Sequence, residues 1–141
     1  ARLFDANAPE LAAPGDMPGR IAALLGVDRP GRAGRPMFAR IIVESIAAAF
    51  AEAVRTAGAL AERPADVIHL VGGGARNALL CQVTADRTGV PVLAGPVEAT
   101  ALGNVLVQAR ALGCFGADAT LEDLRARVAR AFPPLRYDPR S

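Results

Sequence analysis

The chain has 141 residues, 52% of them hydrophobic, with 16 basic residues, all Arg, against 14 acids, for a net charge of +2. The complete lack of Lys excludes a Walker A phosphate loop, a Schiff-base lysine and a Ser-x-x-Lys nucleophile, because each needs an ammonium group. Arginines scattered among acids, with only 4% aromatics, supply neither the concentrated positive face nor the stacking surfaces of a nucleic-acid binder.

Residues 1–16 (ARLFDANAPELAAPGD) hold several turn formers and little periodicity, and read as an irregular lead-in within a longer chain. Asp16 is then placed as an N-cap with Pro18 in the first turn, and Ile21, Ala22, Leu24 and Leu25 make a short apolar face that stops at Gly26. Asp28 to Arg35 is rich in Gly, Pro and Arg and reads as a loop. From Pro36 to about Leu60, Phe38, Ile41, Ile42, Ser45, Ile46, Ala49, Phe50 and Ala53 recur at helical spacing, which predicts one long helix with a buried stripe. Glu44 within it reads as a solvated helical carboxylate.

The period then changes. Val67 to Val71 (VIHLV) predicts a short strand ending at Gly72-Gly73-Gly74. Asn77 to Ala85 has helical spacing, with Gly89 as its terminator, and Val90 to Leu93 (VPVL) predicts a second strand. Together they make a parallel βαβ unit. Glu98 to Leu112 predicts a small-residue helix through Ala101, Leu102, Val105 and Ala109. Thr120 with Asp123 forms a capping-box pattern for a last helix over Leu121 to Phe132. Pro133-Pro134 closes it, and Leu135 to Ser141 reads as an extended tail.

Alanine accounts for 31 residues, and the larger apolar side chains that remain, roughly 30% of the chain, suffice for one globular core. Cys81, Cys114 and the single histidine, His69, have no metal-ligand spacing. The two cysteines read as small buried hydrophobes in a reducing cytosol. No apolar run approaches the ~20 residues of a membrane span and no signal peptide opens the chain, so a cytoplasmic protein without a membrane partner is expected.

The glycine triplet is the chief chemical feature. Glycines between a strand end and a helix start let backbone approach a ligand, and free helix N–H groups attract phosphate. As a dinucleotide fingerprint the pattern is incomplete, since Asn77 stands where a third glycine belongs and Glu98 is poorly placed for a ribose. The residues alone leave two readings open: a βα turn that needs positive φ, or a nucleotide site.

His69 to Asn77 (HLVGGGARN), followed by Ala94 to Gly103 (AGPVEATALG) and Asn104, resembles the carboxyl-terminal part of the FGGY family of carbohydrate kinases. The resemblance covers nearly the whole chain, with its specific motifs confined to residues 68 to 108. It implies an α/β chain that is the C-terminal portion of an actin-like ATPase (ribonuclease H-like) domain. Residues 1–141 would then be the last part of the second, ATP-binding domain, with the sugar-binding domain and the catalytic Asp upstream. ATP with Mg²⁺ and a small sugar are the implied partners, no residue here is a catalytic or metal candidate, and this chain alone is expected to be inactive. Gly72, Gly73 and Gly74 are implied to lie along the ribose and α-phosphate, and Asn77 at the adenine edge. Arg76 is expected on the surface, and Glu98 beside a helix N-terminus that favours its charge. Thr100 and Gly103 are expected in helix packing, and His69 as a structurally satisfied strand residue. The missing remainder of the sheet would leave a strand edge open, so self-association of the isolated chain is expected. A stand-alone Rossmann-like nucleotide-binding module and a non-catalytic interaction domain are the rival readings.

Overall fold

The computed structural model describes residues 2–116 and 118–140; Ala1 and Ser141, the ends of the expected lead-in and tail, lie outside the described residues. The described helices are α1 (Met17–Leu25), α2 (Arg35–Leu60), α3 (Ala78–Thr88), α4 (Ala99–Ala111) and α5 (Leu121–Ala131). The strands are β1 (Ile68–Leu70), β2 (Val92–Ala94) and β3 (Leu135–Tyr137). Helix ends follow local chemistry. The Asp16 carboxylate accepts from Gly19 N at 3.3 Å to start α1. The predicted capping box opens α5, with Asp123 N donating to Thr120 Oγ1 at 3.2 Å and Thr120 N to Asp123 Oδ2 at 2.8 Å.

The βαβ unit is present: β1 and β2 pair in parallel, with Leu70 opposite Ala94, and α3 is the crossover. The second strand starts two residues later than the apolar run suggests. Val90 N is already bonded to Thr88 Oγ1 at 3.2 Å, and Pro91 has no N–H. The ladder therefore begins with Pro91 O, which accepts from Ile68 N at 2.9 Å. The tail corrects its expectation. Leu135–Tyr137 is a strand antiparallel to β2, with Tyr137 opposite Val92, so the sheet is mixed in the order β1-β2-β3. β3 thus covers one edge of β2, while the outer edge of β1 has no strand beside it among the described residues. Gln82 Nε2 donates to Asp138 O at 2.8 Å and Arg140 N to Asp86 Oδ1 at 2.9 Å, which pins the tail along α3.

One face of this sheet packs on α3, and α2 packs outside α3. The core there combines Leu70, Ala75, Leu80, Cys81, Val83, Ala85, Val92 and Ala94 with Ala47 of α2. On α2 the buried positions are Ser45, Ala47 and Ala51, while Phe50 is 39% exposed and Ala53 is exposed, contrary to the stripe expected. Small residues take the most buried positions of α2, with Val43 and Ile46 packed at the margin of the same core. Phe38, Ile41 and Ile42 of α2 do pack, in a second cluster with Phe4, Ile21 and Leu25. The lead-in is thus docked rather than irregular throughout: Phe4 is buried and its N–H donates to the buried Ser45 Oγ at 3.2 Å.

Glu44 is not the solvated carboxylate expected. Its side chain is 17% exposed and is shared between Arg40 Nη2 at 2.6 Å and Arg87 Nη2 of α3 at 2.7 Å. Burial would push its pKa up, but the hydrogen bonds from Arg87 and Arg40 outweigh that and hold the carboxyl below its ordinary 4.5. The cysteine expectation divides. Cys81 is buried, as expected; Cys114 is exposed.

Candidate functional site

Because β1 and β2 run parallel, their carboxyl ends lie side by side, the place where open α/β sheets carry ligands. The two sequence motifs meet there. Gly95 N donates to Leu70 O at 2.9 Å and Gly72 N to Pro96 O at 3.3 Å, so the glycine turn and the loop after β2 brace one another. Residues Gly73–Arg76 form a single 3-10 turn, and α3 starts directly afterwards.

The three glycines have different reasons to be glycine. Gly72 has φ +77 and ψ −163, a conformation open in practice only to glycine. Gly74 would place a Cβ 3.2 Å from Leu70 Cδ2, tighter than ordinary contact, so core packing favours glycine there. Gly73 has neither reason: its φ is outside the left-handed region and a Cβ there would meet nothing within 4 Å. Alanine would also be the better residue in a helical turn. The N–H groups of Gly73 and Gly74 donate to no described group, as expected at the start of a helical turn.

Asn77 is the N-cap of α3, and its Oδ1 accepts from Leu80 N at 3.1 Å. Behind the turn, the Cys81 thiol donates weakly to Gly74 O at 3.9 Å and Ala75 O at 3.8 Å, and its burial pushes its pKa up. Arg76 is exposed at the end of the turn, as expected, and Glu98 stands at the N-cap position of α4. Gly72, Gly73, Gly74 and Asn77 therefore share one turn. Among the described residues no group of three His, Cys, Asp or Glu side chains is placed to hold a metal ion.

Two expectations fail around α4. Thr100 and Gly103 are exposed, and a Cβ at Gly103 would meet nothing within 4 Å, so neither takes part in packing within this chain. His69 is exposed and its side chain makes no hydrogen bond among the described residues. The alternation of β1 turns Leu70 to the core and His69 to the opposite face. That face is covered loosely by α4 and α5, leaving an apolar cleft of about 820 Å³ lined by His69, Val71, Pro96, Leu102, Leu106 and Phe132. Sequence reading missed this cleft, because a short strand of alternating burial looks the same as one buried on both faces.

The C-terminal domain of the FGGY family of carbohydrate kinases matches residues 2–112. This chain belongs to the FGGY family. Among FGGY proteins it is similar to the rhamnulokinase of Bacteroides thetaiotaomicron, 42% identical over 106 residues, which are 74% of this chain and 21% of the relative. The rhamnulokinase of Pectobacterium carotovorum is 45% identical over 103 residues, 73% of this chain and 20% of its own length. That of Klebsiella pneumoniae is 37% identical over 107 residues, 75% and 22%. The chain thus spans about a fifth of the curated relatives it matches, and α5 and β3 lie beyond the FGGY match. No helix among the described residues is long and apolar enough to cross a membrane.

Proposed function

We propose that this chain builds the adenosine end of the ATP site in a sugar kinase that phosphorylates L-rhamnulose to L-rhamnulose 1-phosphate. The sugar follows from the rhamnulokinase relatives, at 37% to 45% identity, and the class from the FGGY match. In this reading the chain is the last portion of an actin-like ATP-binding domain of a cytoplasmic enzyme. The sugar site and the catalytic base belong to the other four fifths of the length of such kinases. The established chemistry of this class is in-line transfer of the γ-phosphoryl group to a sugar hydroxyl, with Mg²⁺ neutralising charge. Among the described residues no set of side chains is placed to hold Mg²⁺. The chain's own part is to bind and orient: glycine backbone lies close against the nucleotide, and the Gly73 and Gly74 N–H groups point donors toward it. The rival dinucleotide-binding module is not favoured, since Asn77 replaces its third glycine.

Gly73 carries this reading. Its glycine is demanded neither by backbone conformation nor by packing, which leaves close approach of a ligand as the physical reason for it. In the full-length kinase, Gly73→Ala should not lower the melting temperature and should leave the KM for sugar at its original value. The added methyl should raise the KM for ATP, because overpacking costs about 1–3 kcal/mol, roughly five- to 150-fold in apparent affinity. An unchanged KM for ATP would return the turn to a purely structural role.

A further inference from the structure

Two features on the loose side of the sheet have no partner among the described residues, and they adjoin. Ile68 N donates to Pro91 O at 2.9 Å and Leu70 O accepts from Gly95 N at 2.9 Å, so residues 68 and 70 direct their backbone groups at β2 and the loop after it. Alternation along a parallel strand turns the N–H and C=O of His69 the other way, toward the outer edge of β1, where no strand lies among the described residues. The side chains of His69 and Val71 line the cleft beside that edge, and Val71 is 49% exposed. Leu102, Leu106 and Val107 of α4 line it from above, and Val107 is 60% exposed. Helix α4 has one charged residue, Arg110, in 13, yet none of its residues is buried. A helix with so little charge belongs inside a larger protein rather than on its surface.

We propose that this edge and this cleft together receive one extended, apolar segment from the part of the same polypeptide that precedes this chain. The segment pairs with the His69 backbone and sets alternate side chains between β1 and α4. Length supports this occupant: the chain spans 21% and 20% of two rhamnulokinases it resembles, which leaves most of such a protein to supply it. The strand edge selects an extended backbone, because only that form meets successive N–H and C=O groups, and the cleft lining selects apolar side chains. A small molecule in the cleft would leave the edge of β1 unpaired. No nucleotide at the glycine turn is needed for this docking, so it stands or falls apart from the ATP site.

Hydrogen exchange on the wild-type full-length kinase, read amide by amide over Val67 to Val71, tests the pairing. The His69 N–H should exchange as slowly as that of Leu70, whose backbone faces β2. Maleimide labelling of Val71→Cys and Val107→Cys in the same kinase tests the filling of the cleft. Each introduced thiol should react roughly a hundredfold or more slowly in the folded enzyme than in the same variant unfolded in urea. Both protections should persist across a dilution series. Free exchange at His69 would overturn the proposal, and together with protected thiols it would make a small molecule the occupant of the cleft. Thiols that react at the unfolded rate in a folded variant would overturn it by showing the cleft open to water. Protection that disappears on dilution would overturn it too, by making a second copy of the chain the occupant. The exchange measurement needs no substitution, so it decides the pairing even if a cysteine variant fails to fold.

Discussion

The two faces of the sheet are built on opposite terms. On the α3 side, Ala47, Cys81, Thr84, Ala85 and Val92 are fully buried, and a second helix closes over the first. On the other side α4 has no buried residue and α5 only Leu124, while Val105, Val107 and Leu112 are 63%, 60% and 82% exposed. Composition does not separate them, because both layers are rich in alanine, leucine and valine. What separates them is whether small residues face another element. Ala47 and Ala51 let α2 settle on α3, whereas Gly103 has open space in front of it. The close-packed side holds the chain together and positions the glycine turn; the looser side has an apolar cleft as its main feature.

This contrast is most sharply broken by a charge placed on each side. Val92→Asp puts a carboxylate at a fully buried position in the central strand, where no basic side chain belongs to the core cluster. The cost should exceed about 4 kcal/mol, a large share of the ~5–15 kcal/mol available to a domain, and the chain should fail to fold. Val105→Asp, on a residue 63% exposed, should change urea stability by no more than about 0.5 kcal/mol. Equal losses at the two positions would mean that α4 is packed as tightly as α3.

Between the extremes stands the ion pair that joins α2 to α3. Arg87→Ala removes two of the hydrogen bonds to Glu44, at 3.0 and 2.7 Å, and leaves Arg40 to hold the carboxylate. With Arg87 partly solvated, the loss should be about 1 kcal/mol at neutral pH. Its pH dependence has a definite sign. Glu44 is held below its ordinary 4.5, so its contribution is complete above that value and disappears as pH falls through the lower folded-state value. Wild type and variant should therefore differ most at neutral pH and converge in acid, as read by chemical denaturation from pH 7 down to about 3. A gap that widens in acid would place Glu44 outside this pair.

The same contrast explains which parts of the molecule could be read from the sequence. Helix boundaries were legible because local chemistry sets them: the Thr120–Asp123 box, the Asp16 cap and Gly89 all end or begin helices where they should. The glycine turn and Asn77 were legible as one unit for the same reason. What failed depended on partners far along the chain. Phe50 belongs to an apolar stripe by spacing, but α3 occupies the alanine face instead. Glu44 looks solvated until Arg87, 43 residues away, is brought to it. The Leu135–Tyr137 strand has only three residues, and it is a strand because β2 offers it an edge. His69 is the mirror case, a residue given an expected partner that the fold does not provide.

Thr84 supplies the smallest and most local comparison between the two sides. It sits in α3, fully buried, and its Oγ1 has no hydrogen-bond partner among the described residues. A buried hydroxyl left unpaired costs about 1–3 kcal/mol relative to one that is satisfied, and valine has nearly the same shape without that polar atom. Valine also keeps the branched Cβ, so side-chain freedom on the helix changes little. Thr84→Val should therefore stabilise the chain by about 1 kcal/mol, seen as a rise of roughly 3 °C in melting temperature. The matching change on the loose side, Thr100→Val, starts from a residue that is exposed and whose hydroxyl is already solvated. It should give no gain, because no desolvation penalty is relieved. If Thr84→Val destabilises the chain instead, its hydroxyl has a partner in solution, and the interface between α2 and α3 is wetter than its small residues indicate.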